Sequence, residues 1–159
     1  MFGGIGRALS HRDYLLYWSS NGINTIGRWM YRIAVGWLTW ELTESTTWLG
    51  IIAFAESFPL VVFSVLAGAI ADRVGYIRIT LLAQTATAIV AAAFAAMTLA
   101  GVITIELVLV SALLIGSLES LTTPARMALV HALVPKQDLA PAIALGSATF
   151  NAARFIGPT

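Results

Sequence analysis

Long apolar runs alternate with short polar breaks along the whole chain. Reading the breaks as helix ends gives four complete runs, at about 14–40, 48–71, 77–100 and 103–122, and a fifth that starts near 141 and reaches Thr159. An α-helix rises about 1.5 Å per residue, so about 20 apolar residues cross a hydrocarbon core about 30 Å thick. The pattern predicts an all-α integral membrane protein with about five transmembrane helices. The breaks carry end signals. "ELTESTT" (41–47) offers Thr46 or Thr47 as an N-cap for the second helix. "ADRVGY" (71–76) is a tight polar turn in which Gly75 is free to take positive φ, and "AGV" (100–102) is a second short turn. "TPARMALVHALVPKQDLAP" (123–141) is longer; its amphipathic centre, bounded by Pro124 and Pro135, is expected to lie on the membrane surface. The last residue falls inside an apolar run just after Gly157-Pro158, with no cap or tail, so the chain is expected to be part of a longer protein.

The polar positions are not confined to the breaks. In the first run Asn21, Asn24, Thr25, Arg28 and Arg32 recur at helical spacing and share one face, while Ile23, Ile26, Met30 and Ile33 occupy the other. Each arginine near a bilayer centre costs roughly 2.5–3.5 kcal/mol, so two cost about 5–7 kcal/mol, whereas the run's Leu, Ile and Val residues return only about 2–4 kcal/mol. Such a helix needs a protein interior or a water-filled cavity against its polar face. Snorkelling is the plainer explanation for a membrane arginine. Arg28, roughly 18 Å from the outer end of its helix at about 1.5 Å per residue, is too deep for it, whereas Arg32, at roughly 12 Å, is within reach.

Acidic residues also fall inside runs. Glu56 in "FAESFPL" lies at about the depth of Arg32, which suggests an Arg32–Glu56 pair or a site where substrate or proton competes for that pair. Glu119 in "IGSLESL" lies deeper, toward the cytoplasmic side, and Arg154 approaches mid-membrane in the fifth run. Desolvation raises a carboxylate pKa and a neighbouring arginine lowers it, so a carboxylate whose partner moves can exchange a proton. A static salt bridge is the alternative for both acids. Glu41 and Glu106 read as interfacial.

Composition narrows the classes. The chain is 58% hydrophobic and 11% charged, against about 25% charged in soluble domains. A net charge of +1 gives no reason for a nucleic-acid partner. With no cysteine there is no disulfide and no thiolate metal site. His11 and His131 lack ligand spacing and read as ordinary interfacial residues. No metal, cofactor or catalytic residue is expected: HExxH and GxSxG are both absent from the sequence. The first run contains two arginines and lacks a small-x-small cleavage site, so it is expected to be retained rather than removed as a signal peptide.

Orientation follows from the basic residues. With the N-terminus cytoplasmic, the inside segments hold Arg7, Arg12, Arg73, Arg78, Arg126 and Lys136, while the outside turns hold only Glu41 and Glu44. That asymmetry is the positive-inside pattern. Trp18, Trp37, Trp40 and Trp48 sit near run ends, where interfacial anchors are expected.

The turn between the second and third runs reads "SVLAGAIADRVGYIR". Ser64 and Gly68 form a small-xxx-small pair that admits a close helix neighbour, followed by a charged hinge. Gly68, Asp72, Arg73 and Gly75 resemble, in register, the cytoplasmic signature G-x-x-x-D-R-x-G-R-R of the major facilitator superfamily. Tyr76 and Ile77 replace the usual basic pair, and Arg78 is the remaining cation. "ALSHRDYLLYW" and "TPARMALVHALVPKQDLAPAIALGSATFNAARFIGP" are similar to segments of a bacterial branch that includes the enterobactin exporter and macrolide efflux proteins. Pro124, Ala125, Arg126, Ser147, Asn151, Arg154, Gly157 and Pro158 carry that likeness, with His131 standing where proline is usual. Gly157-Pro158 also resembles the fifth-helix Gly-Pro element of the superfamily's antiporters.

The resemblance implies that residues 1–159 are the incomplete N-terminal transmembrane half of a twelve-helix, multi-pass inner-membrane exporter. It would work by alternating access, coupled to protons, on amphiphilic small molecules such as siderophores or drugs. Its partners would be the lipid bilayer, the substrate, protons and the C-terminal half of its own chain. Gly68 and Asp72 would hold one gating state with Arg73 and Arg78 as partners, and the arginine face of the first helix would line the central cavity. A non-transporting sensor or assembly partner, and the membrane domain of a larger enzyme, are the competing readings. A single cysteine placed in 41–47 of a cysteine-free background is expected to react with a membrane-impermeant maleimide from outside; labelling only from the cytoplasmic side would invert the topology.

Overall fold

The computed structural model describes residues 2–156, with side chains described except at 2–5, 64 and 65. Gly157, Pro158 and the side chain of Ser64 lie outside the described residues. The order is α1 (Phe2–Ser10), α2 (Arg12–Thr43), α3 (Thr46–Val74), α4 (Tyr76–Leu99), α5 (Ile105–Leu133), a 3-10 turn (Lys136–Asp138) and α6 (Leu139–Ile156). Three helices are long and apolar enough to cross a membrane, over Thr46–Phe63, Tyr76–Leu99 and Ile105–Leu133. Among the described residues, three of the expected five meet both criteria of length and apolar composition. α2 has the length, at 32 residues, but its asparagines and arginines dilute its apolar character, and Asn151 and Arg154 do the same to α6.

The chain divides into two compact units, residues 1–34 with 127–159, and residues 35–126. In the first, α1, the opening turns of α2 and α6 enclose Ala8, Tyr14, Val134 and Ala142. Tyr14 is 1% exposed, and its hydroxyl donates to the Ala142 carbonyl at 2.9 Å. Trp18 Nε1 donates to Thr149 Oγ1 at 2.8 Å, and Trp29 meets Phe150 edge-on with centroids 5.8 Å apart. Contacts that climb both helices in the same order make α2 and α6 parallel. Trp18, expected as an interfacial anchor, is a helix-to-helix link. Asp138 is 2% exposed and accepts from Arg7 Nε at 3.3 Å and pairs with His11 Nε2 at 3.2 Å. A buried carboxylate needs such partners to stay charged.

In the second unit, Ala71 of α3, Ile79 of α4 and Ala125 of α5 are buried together. The turn between α3 and α4 is one residue, Gly75, at φ +93°, with its N–H donating to the Ala71 carbonyl at 3.0 Å. Only glycine reaches such a conformation without strain, as the sequence led us to expect. Gly101 plays the same part after α4 at φ +68°. Among the described glycines, the closest backbone approach is at Gly116. A Cβ on Gly116 would collide with the backbone carbonyl of Glu56, reaching its carbonyl carbon at 2.9 Å. At Gly68 a Cβ would meet nothing within 4 Å among the described residues.

Other expectations are corrected. α1 has no counterpart in the sequence reading. The N-cap position of α3 is Ser45, and Thr46 is already helical. Residues 123–133 are not a separate surface segment: α5 continues through Pro124 to Leu133. In water, a broken ladder can be solvated and the helix ends; in apolar surroundings the freed groups have no such refuge, and nearby hydroxyls help retain the helix. Thr122 and Thr123 both donate to the Glu119 carbonyl, at 3.1 and 2.9 Å, one residue before the Ser120 carbonyl that Pro124 leaves without its helix donor. At 29 residues α5 is about 43 Å long, longer than the hydrocarbon core it would cross.

The outer surface is apolar. On α2, Ile23 is 74% and Met30 57% exposed, whereas Thr25 on the polar side is 3% exposed. Hydroxyls in the helices back-bond to their own turn, as Thr25 does to the Asn21 carbonyl at 2.7 Å and Thr39 to Val35 at 2.7 Å. In the complete protein in detergent, Gly116→Ala is expected to lower the melting temperature, since overpacking costs about 1–3 kcal/mol. Gly50→Ala, at an exposed position where a Cβ meets nothing within 4 Å among the described residues, serves as the control, with no loss expected; equal behaviour of the two variants would contradict the close crossing.

Candidate functional site

Helical periodicity puts Trp29 one residue from Arg28 and three from Arg32, and α6 returns Arg154 to the same ring. The Cζ atoms of Arg32 and Arg154 lie 5.5 and 5.7 Å from the Trp29 centroid. Both arginines are exposed, and Arg28 is half-buried. A cation on an indole face gains about 0.5–1 kcal/mol, or about 2 kcal/mol when desolvated. Phe150 closes one edge of the ring. The buried Nε1–H of Trp29 and Oδ1 of Asn21 have no hydrogen-bond partner among the described residues. Asn24 is half-buried, and Asn151 donates to the Ser147 carbonyl at 2.9 Å within α6. Of the site residues expected from sequence, the structure thus brings Arg32 and Arg154 together. The residue that joins them, Trp29, was not singled out. Its spacing from Arg32 was the available signal.

Glu56 and Glu119 belong to the second unit. Glu56 is half-buried on α3, its backbone pressed by Gly116. Pro59 interrupts the helix ladder less than one turn later. Glu119 pairs with Arg126 along α5 at 3.4 Å, both side chains largely buried. Arg126 is the seventh residue after Glu119, two turns on along the continuous α5.

The charged hinge is also different from its expectation. Tyr76, one of the residues that replaces the basic pair, donates its hydroxyl to the Asp72 carboxylate. Asp72, Arg73 and Arg78 are exposed and Gly75 is half-buried. Of the two histidines, His131 bonds the Met127 carbonyl within its own helix at 2.8 Å, whereas His11 is a partner of buried Asp138 rather than an ordinary interfacial residue. No group of three or more His, Asp and Glu residues able to hold a metal occurs among the described residues.

A family model described as transmembrane secretion effector matches residues 7–159. The chain belongs to this family of the major facilitator superfamily. The family consists of membrane transporters rather than enzymes, and the apolar helices agree with a multi-pass membrane protein. The staphyloferrin A transporter of Staphylococcus aureus (strain NCTC 8325 / PS 47) is 29% identical over 143 residues, covering 89% of this chain and 36% of that protein. The chain therefore spans about a third of the length of that curated relative. No solved structure matches the chain.

A double-mutant cycle of Glu119→Gln and Arg126→Gln, read by thermal unfolding of the complete protein, is expected to show a coupling of about 1 kcal/mol. Additive effects would mean that the pair contributes nothing as a pair.

Proposed function

We propose that the complete protein is a secondary active transporter that exports an amphiphilic small molecule by alternating access, driven by protons. The observation that carries this reading is the inverted polarity of α2 in a chain of a transporter family: Ile23 is 74% exposed while Thr25 is 3% exposed. A helix that turns Ile23 and Met30 outward and buries Thr25 suits a lipid exterior and a polar interior. In this reading Asn21, Asn24, Arg28, Arg32, Asn151 and Arg154 line the cavity from α2 and α6. Glu56 and Glu119 carry the coupling proton.

Gly68, Asp72, Arg73, Gly75 and Arg78 form the gating hinge, in which Tyr76 holds Asp72 in place of a cation. Gly157-Pro158 would be the antiporter element. The protein would sit in the inner membrane with its N-terminus cytoplasmic. A relative that transports staphyloferrin A favours a siderophore-like substrate over other amphiphiles.

The test is pH-gradient-driven transport in proteoliposomes of the complete protein. Glu56→Gln and Arg32→Ala are each expected to lower the gradient-driven rate at least about tenfold, a loss of about 1.4 kcal/mol or more in transition-state stabilisation. Full activity in both variants would move the coupling site elsewhere. A wild-type protein that moves no substrate under any gradient would leave the sensor reading standing.

A further inference from the structure

The opening of α2 carries a second polar cluster, satisfied on its buried side and open on its exposed side. Asp138 lies in the 3-10 turn with 4% of its side chain exposed. Its Oδ1 accepts from Arg7 Nε of α1 at 3.3 Å, and its Oδ2 pairs with Nε2 of His11, between α1 and α2, at 3.2 Å. The Arg7 side chain is 68% exposed. A guanidinium carries five N–H groups, and Asp138 takes the one on Nε. The N–H groups of the two Nη atoms have no partner among the described residues. The guanidinium is thus tied to a buried carboxylate through Nε and keeps a pair of donors for a second, bidentate acceptor.

The surroundings select the acceptor. The Leu15 N–H donates to the His11 carbonyl at 2.9 Å, so the helical ladder runs on from His11 into α2. Leu15 and Leu16 stand one turn beyond His11 and Arg12, and both are exposed. Arg12 and Lys136 are exposed as well, with Asp13 as the exposed acid beside them. Basic charge is followed, about 5 Å farther along the helix, by apolar surface. A phospholipid has the same order, a phosphate and then acyl chains. We propose that Arg7, braced by Asp138, binds the headgroup phosphate of an anionic phospholipid at the opening of α2, with Leu15 and Leu16 against its acyl chains. The proposal goes beyond the transporter reading. It rests on that reading only for placing this end of α2 at the cytoplasmic leaflet, whose anionic lipids give it a negative surface potential. Diffuse attraction to that surface would treat Arg7 and Arg12 alike. A bound headgroup distinguishes them, because Arg7 has a buried carboxylate behind it and Arg12 has none among the described residues.

The test is native mass spectrometry of the complete protein released from a neutral detergent, titrated with phosphatidylglycerol and, separately, with phosphatidylcholine, whose choline cation meets like charge at this site. The first phosphatidylglycerol is expected to bind at least about fivefold more tightly than phosphatidylcholine. Arg7→Gln, at a mostly exposed side chain, should cut that preference to about twofold or less. Arg7→Lys should lose most of it as well, because charge remains while the fork is lost. Arg12→Gln should leave the preference within about twofold of wild type.

Equal binding of the two lipids would overturn the proposal, as would equal losses in Arg7→Gln and Arg12→Gln, which would mark diffuse charge. Full preference in Arg7→Lys would overturn the bidentate site. Glycerophosphate that displaces phosphatidylglycerol at an equal concentration would show that the leucines contribute nothing and that the site takes a soluble phosphate, which overturns the lipid assignment. Transport without a lipid preference defeats this site and spares the transporter reading. A lipid preference without transport under any gradient does the reverse.

Discussion

Guanidinium groups cannot be left bare in hydrocarbon, and the architecture of α2 follows from that constraint. The charge of Arg32 is met by an aromatic face, and the same ring receives Arg154 from a parallel helix. The polar side of α2 turns inward, so Thr25 is buried while Ile23 and Met30 cover the outside. Hydroxyls that would seek water in a soluble protein bond to carbonyls of their own turn instead. α5 stays helical through Pro124 under the same pressure, which keeps Arg126 within reach of Glu119.

The second unit shows how backbone contact can place a carboxylate. Gly116 lets α5 touch α3 at the Glu56 carbonyl. That contact acts on the backbone at Glu56 whatever its side chain does. Pro59 cannot donate to the carbonyl of Ala55, so the ladder is interrupted beside the same residue. A carboxylate on a helix that is pinned from one side and loosened just beyond is fixed in depth yet able to change its local turn. At the hinge, Gly75 at positive φ sets α4 directly after α3, and Tyr76 falls four residues beyond Asp72, where a hydroxyl can reach it.

Much of this was legible from residues. The helices, the Gly75 turn and the two-faced nature of α2 follow from periodicity and from the conformational freedom of glycine. The superfamily follows from Gly68, Asp72, Arg73 and Gly75. What was not legible depends on pairs distant in sequence. Nothing local ties Arg154 to Trp29, or Asp138 to Arg7 and His11, because those contacts depend on which helices are neighbours. Ser64 and Gly68 drew attention as a small-xxx-small pair, yet the close backbone approach is at Gly116, where Ala112, Gly116 and Ser120 carry the same spacing and were passed over. The break at Pro124 misled for a physical reason. Proline ends helices where water can take the freed backbone groups, and α5 is one of the helices long and apolar enough to cross a membrane, where it cannot.

The two ends of the α2–α6 pair are held by interactions of different kinds. At one end a buried carboxylate, Asp138, accepts from Arg7 and His11, and Tyr14 is locked to Ala142. Hydrogen bonds to charged groups contribute about 1.5–3 kcal/mol each, and losing one partner leaves a costly buried charge. At the other end Arg32 and Arg154 lie over one indole, contacts of about 0.5–1 kcal/mol at exposed positions. An element that binds and releases a ligand needs contacts that exchange with the ligand without unfolding the helices that carry them. In the proposed transporter the strong interactions would hold α2 and α6 together, and the weak ones would lie where a ligand competes. Reversing that distribution would leave the arginines fixed in place and the helix pair loose.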